Sequence, residues 1–200
     1  MTTKIKRAFE FQAGVHFDGK LIMNRYQVMT TMLVNTDSIR EQNVAMDRLK
    51  YLFGEMLMNV VFVHSEEKKV IEKYEAANIK VCVLPEEPYD QIITLVLLVK
   101  MNAIAESRLS ITEITLRSDL SDGVMFVYED SILDVEHPFH TSGWWSDNTT
   151  NVTNTIKSNK KEKIVKLVKT CDWHSLNLEW KEKETVSKTE ILFTTDLEKT

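Results

Sequence analysis

From Phe9 to Phe17 the odd positions Phe9, Phe11, Ala13, Val15 and Phe17 are apolar, with Glu10, Gln12 and His16 between them. A period of two predicts a strand with one wet face, and places His16 on it. Asp18-Gly19 has turn composition, and Tyr26 to Val34 reads as the antiparallel neighbour. Ser38 followed by Glu41 has the form of a capping box. Ala45, Leu49, Leu52, Phe53, Met56, Leu57 and Val60 then recur at spacings of three and four, which predicts one long amphipathic helix lying across a sheet. Ser65-Glu66-Glu67 opens a second, more polar helix with Val70, Ile71 and Tyr74 as its buried side. Ile79 to Leu84 reads as a short strand or an extended connection.

The stretch from Leu84 to Tyr128 organises the rest. Pro88 suits the first turn of a helix, and Glu86, Glu87 and Asp90 gather where the helix dipole is positive. Ile92, Leu95, Val96, Val99 and Ala103 follow at helical spacing, and Ile93, Leu97 and Leu98 widen the apolar face until little polar surface remains. Such a helix is expected to be covered on several sides, its outer face by another helix or another subunit. A buried strand is the alternative, because Ile92 to Val99 is rich in β-branched residues.

Leu109 and Ile111 alternate in one phase and Ile114 and Leu116 in the other, so a β-bulge is expected near Thr112-Glu113. Ser118 to Gly123 is a turn, and Val124 to Tyr128 returns as the last strand. The order predicts an α+β domain over residues 1–136, an antiparallel sheet with helices on one face. Residues 137–200 read as a loop and β-rich C-terminal appendage, with strand alternation over Trp173 to Trp180 and over Thr189 to Thr195.

The hydrophobic fraction of 43% supplies a sizeable core, and the net charge of −5 gives no general reason to expect nucleic acid or acidic lipid as partner. The apolar run ending at Lys100 is too short to cross a bilayer. Two cysteines in unlike surroundings, Cys82 and Cys171, suggest neither zinc nor redox spacing and fit a cytoplasmic protein. Lys157 to Lys169 with Trp173 and Trp180 nearby offers single-strand nucleic-acid contact, against which a solvated charge run is the plainer reading. His137 and His140 near Asp134 and Glu136 offer a metal cluster, against which stands an ordinary polar loop. Trp144 and Trp145 serve either as an interaction anchor for a protein partner or as packing of the appendage onto the domain.

Phe9-Glu10-Phe11-Gln12-Ala13-Gly14-Val15-His16, Glu87-Pro88-Tyr89-Asp90-Gln91 and Ile114-Thr115-Leu116-Arg117-Ser118-Asp119 are similar, in order and pattern, to segments of the tunnelling-fold family. The 6-pyruvoyl-tetrahydropterin and 6-carboxy-tetrahydropterin synthases are the members most resembled, over roughly residues 7 to 128. The resemblance implies subunits that pair their sheets edge to edge into a barrel. It also implies pockets between subunits that hold planar purine-like or pterin-like rings on an acid. The departures are systematic. No histidine lies near Asn24 to Gln27, where the family carries a pair of zinc ligands, so His16 would stand alone. Ile79-Lys80-Val81 lacks the family's acid and base, and Ser118 stands where the ring-anchoring glutamate is expected, with Asp119 or Glu113 as substitutes. The sequence therefore points to a non-catalytic homo-oligomer acting as a structural or interaction component, with no metal and no cofactor. The alternative is a metal-independent enzyme or binder of a pterin or 7-deazapurine. Glu87, Asp90, Glu113, Ser118 and Asp119 are the candidate ligand-binding residues.

Overall fold

In a computed structural model of the chain, residues 3–129, 143–152, 173–176 and 178 are described. The chain opens with two long strands, β1 (Lys4–Phe17) and β2 (Lys20–Val34), paired antiparallel from Lys4 against Leu33 to Phe17 against Lys20. Asp18 and Gly19 join them with φ of 50° and 71°, the positive values that a two-residue turn of matching twist demands. α1 (Ile39–Tyr51), β3 (Val61–His64), α2 (Lys68–Ala76), β4 (Val81–Leu84), α3 (Asp90–Ala105), β5 (Leu109–Ser118) and β6 (Met125–Glu129) follow. The six strands form one sheet in the order β4-β3-β1-β2-β5-β6. β1, β2, β5 and β6 alternate antiparallel, whereas β3 and β4 add parallel to β1. The expected bulge is present: Thr31 faces Glu113 and Met32 faces Ile111, which leaves Thr112 as the extra residue.

The α+β class stands, and α1 and α3 cover one face of the antiparallel strands around Phe9, Phe11, Tyr26, Val28, Ile114 and Leu116. Phe9 stacks on Phe53 and Phe11 on Tyr26, with ring centroids 4.5 and 4.8 Å apart. The other face differs from expectation at one end. Parallel strands are buried on both sides, so Val61, Val63, Val81 and Val83 form a second, smaller core under Val70, Ile71 and Tyr74 of α2. That helix also explains His16, which is buried and not solvent-facing. Its Nδ1 lies 2.9 Å from the Tyr74 hydroxyl and its Nε2 3.1 Å from the Glu67 carboxylate.

The helix expected to run to Val60 stops earlier. After Tyr51 it loosens into a π turn over Leu52–Met56, and Asn59 takes a left-handed φ of 59° that helix cannot continue through. Ser38 caps α1 by accepting from the Glu41 N–H at 3.3 Å, but the reciprocal half of the capping box is absent because the Glu41 carboxylate is taken by Arg108 Nε at 2.5 Å.

α3 is a helix and not a strand, with Pro88 lying just outside it, before the N-cap Tyr89. Of the two covers expected for its outer face, another helix or another subunit, the single chain supplies the first. Ile93 to Leu98, Lys100, Met101, Ile104 and Ala105 are all buried within the single chain, by the sheet, by α1 and by the 143–152 stretch that carries Trp144, Trp145 and Val152 into the same core. Both indoles are 2% exposed. Lys100, in the middle of this helix, is wholly buried. Its ammonium donates to the main-chain oxygens of Trp144, Asp147, Thr149 and Asn151 and to the Asp147 carboxylate, at 2.8 to 3.3 Å. Burial holds the Lys100 ammonium below its usual range, while Asp147 pulls it back up.

Residues 173–176 form a turn where a strand was expected, and Trp173 Nε1 donates to the Asn148 carbonyl at 2.5 Å. The expectations placed on Asp134 to His140, on Lys157 to Lys169 and on Thr189 to Thr195 lie outside the described residues. Among the described residues no helix is long and apolar enough to cross a membrane.

Candidate functional site

The core-facing phase of β2 runs Asn24, Tyr26, Val28, Thr30, Met32, and its first two members are polar. Register places Asn24 opposite Ala13, and Tyr26 between Phe11 on β1 and Ser118 at the end of β5. Ser118 then meets the first residue of α3, its Oγ donating to Asp90 Oδ2 at 2.6 Å. The chain turns over this point through a short 3-10 segment, Asp119–Ser121. Asn24 Oδ1 accepts the N–H groups of Asp119 and Leu120 at 3.1 and 3.3 Å, so a β2 side chain caps the turn that follows β5. Asn24, Tyr26, Asp90 and Ser118 thus converge where β2, β5 and α3 meet.

Two donors in this cluster remain unspent among the described residues. The Tyr26 hydroxyl and Asn24 Nδ2 are both buried and meet no partner at full hydrogen-bond geometry, although the Asn24 amide lies near enough to act on the phenol as a weak donor. Most buried polar groups in folded proteins are paired, so a pair of orphans beside a carboxylate calls for an explanation. Burial pushes the Asp90 carboxyl above the ordinary aspartate range, against the Ser118 hydrogen bond, which favours the ionised form. Burial also pushes the Tyr26 phenol up, against the Asn24 amide, which favours the ionised form, so the hydroxyl keeps its proton. Asp90, with Oδ2 already accepting from Ser118, thus sits with the Tyr26 hydroxyl and the Asn24 amide in a buried polar cluster.

Of the sequence-based candidates, Asp90 and Ser118 belong to this cluster. Asp119 contributes its backbone N–H, while its side chain is exposed at the turn. Glu87 lies elsewhere, its carboxylate 3.4 Å from His64 Nδ1. Glu113 is on the opposite face of the sheet, in a row that runs Lys6, Thr31, Glu113, Glu129. Asn24 and Tyr26 were missed, although the signal was present: a polar residue in the core-facing phase of a strand. The Cys82 thiol is fully buried and pushed well above its usual value by that burial, which leaves it inert. Among the described residues no three of His, Cys, Asp and Glu converge as a metal site.

No protein-family model matches this chain, and no curated protein matches it. Solved structures do resemble it. An uncharacterized protein from Wolinella succinogenes is 10% identical, with 65% of this chain and 99% of that one covered at a TM-score of 0.45. The 6-pyruvoyl tetrahydropterin synthase of Plasmodium vivax is 10% identical, with 64% and 97% covered at a TM-score of 0.43. A catalytic-residue mutant of that enzyme matches over the same shares at a TM-score of 0.41.

Proposed function

We propose that the chain is a self-associating tunnelling-fold-like subunit that works as a structural or interaction component rather than as a catalyst. The observation that carries this reading is a pair of complementary strand edges. β3 reaches β1 only at Gly14 and Val15, so the Lys4 to Phe11 part of β1 has a strand on one side only, and β6 has only β5. β1, β2, β5 and β6 alternate in direction, so β6 of one copy laid beside β1 of the next continues the antiparallel ladder. Such a head-to-tail contact closes into a ring when its rotation divides a full turn. Charge suits the match: Lys4, Lys6 and Arg7 line one edge and Glu129 ends the other. The face turned away from α1 and α3 leaves Leu21, Met23, Met29, Met125 and Val127 exposed, an apolar surface that a closed barrel would shelter. The opposite edge, β4, is less available, because Trp144 Nε1 donates to the Val83 carbonyl there at 2.8 Å.

Light scattering coupled to size exclusion tests the reading. A ring gives a mass at a whole multiple of 23.2 kDa that persists at micromolar concentration. A monomer throughout that range overturns it.

A second reading is favoured by the orphaned donors: a binder of a pterin or 7-deazapurine held by Asp90, Tyr26 and Asn24. A thermal-shift panel of such rings discriminates. A ligand at a hundred times its dissociation constant stabilises by about 2.7 kcal/mol, and a panel without any shift removes the reading.

A further inference from the structure

The side of the molecule where α1, the α3–β5 connection and the Trp173 turn meet encloses a cavity of about 190 Å³. Arg40, Glu41, Arg48, Arg108, Trp173 and His174 line it. We propose that this cavity binds a small oxyanion, a phosphate or carboxylate carried on a body no larger than a single ring. Among the described residues three guanidinium groups face it against one lining carboxylate, Glu41, with Glu106 behind them.

Those two carboxylates are already committed. Glu41 holds Arg108 Nε at 2.5 Å, and Glu106 holds both Arg48 Nη1, at 2.6 Å, and Arg108 Nη1. Arg40 makes no hydrogen bond or ion pair among the described residues and acts on Glu41 only through its field. Among the described residues, three positive charges against two negative ones leave the cavity one charge in excess. Arg48 adds a second, independent sign. Its side chain is 7% exposed, its Nη1 is spent on Glu106 and the Ile104 carbonyl, and its Nε is a buried donor without a partner. A planar oxyanion is the group that guanidinium donors match in pairs.

The cavity also has a fixed wall. The Trp173 ring lies 5.2 Å from the Arg48 guanidinium and is pinned by its N–H to Asn148 O, which offers an aromatic face beside the charge. Benzene fills a protein cavity of about 150 Å³, so this one takes a single ring with its anionic substituent and is too small for a polynucleotide. None of the described residues lining it belongs to the Asp90 cluster or to the β1 and β6 edges, so its test is independent of the assembly reading.

Isothermal titration of the full-length protein with inorganic phosphate and, separately, with benzoate at matched ionic strength is the test, with sodium chloride as control. Saturable 1:1 binding of at least one is expected and no saturable heat from chloride; which anion binds tells phosphate from carboxylate. Arg40→Gln, at an exposed position, is expected to weaken binding about tenfold while leaving the unfolding midpoint unchanged, the loss of one charge-assisted contact. Val44→Glu, which adds a carboxylate to the lining, is expected to abolish it. Absence of saturable binding of both anions up to about 10 mM overturns the proposal. Binding that Arg40→Gln leaves unaltered overturns it as well.

Discussion

The Lys100 ammonium is bound to the carbonyl oxygen of Trp144 at 2.8 Å, and the indole N–H of the same Trp144 is bound to the Val83 carbonyl at 2.8 Å. One buried cation in α3 therefore ties down a loop, and the loop ties down the edge of the sheet. The ammonium is tolerated in the core because the 144–151 stretch wraps oxygens around it, Asp147 supplying the counter-charge. Removing the cation strands those oxygens and leaves Asp147 uncompensated. Lys100→Met is expected to cost about 2–4 kcal/mol, chiefly for the buried carbonyl oxygens it strands, because the Asp147 carboxylate is half exposed and regains water. Urea unfolding followed by tryptophan fluorescence measures it. A loss below about 1 kcal/mol would mean that the indoles hold the loop without help from the charge.

Asp90 yields a pH prediction with a definite sign. Burial raises its native value above the ordinary one, so between the two the folded protein holds a proton that the unfolded chain has released. Stability from this group is present below the unfolded value and is lost as pH rises through the raised native value. Asp90→Asn keeps a hydrogen-bonding side chain opposite Ser118 and carries no charge. The difference in melting temperature, variant minus parent, should grow as pH rises through that window and level off above it. A difference independent of pH would show that burial does not govern Asp90.

Much of this site was legible in the sequence and some of it was not, for reasons that particular residues make plain. The alternation around Phe9 to Phe17 and the phase slip at Thr112 are local patterns, and both appear in the structure. Val60 was assigned to a helix because apolar spacing cannot register a left-handed residue such as Asn59, which ends the helix and releases Val61 into β3. His16 was assigned to water because strand alternation says which face a residue is on, and not whether a helix from fifty residues later will cover that face. Asp90 and Ser118 are 28 residues apart, and only the register of β5 against β2 brings them together with Tyr26. The Arg48 cavity depends on the Trp173 turn, where the strand pattern misled.

Tyr26→Phe separates a structural from a ligand-binding role for the unpaired hydroxyl. A buried hydroxyl without a partner adds little stability, so its removal should change unfolding free energy by less than about 1 kcal/mol, or raise it. A loss above about 2 kcal/mol would reveal an ordered water or other partner in the free protein. If a ring does bind beside Asp90, the same variant should lose affinity for it while folding normally. Unchanged affinity in the variant would take Tyr26 out of the site.

Val127 tests the assembly from its exposed side. It lies on β6, opposite Thr115 of β5 and in one row with Met29 and Ala8, and half of its surface is open in the single chain. A lysine there points into solvent in the monomer, so folding should be preserved to within about 0.5 kcal/mol. In a head-to-tail ring the same lysine would lie beside the edge of β1 in the next copy, on the face that carries Lys4 and Lys6, and like charges across paired strands repel. Natural sheets use such lysines to keep their edges apart. Val127→Lys is therefore expected to reduce the assembly to monomers, or to make it fall apart at low salt and re-form as salt screens the repulsion. A variant that folds and keeps the parent mass at low salt would place the contact away from β6 and leave the Lys4 to Phe11 edge without its proposed partner.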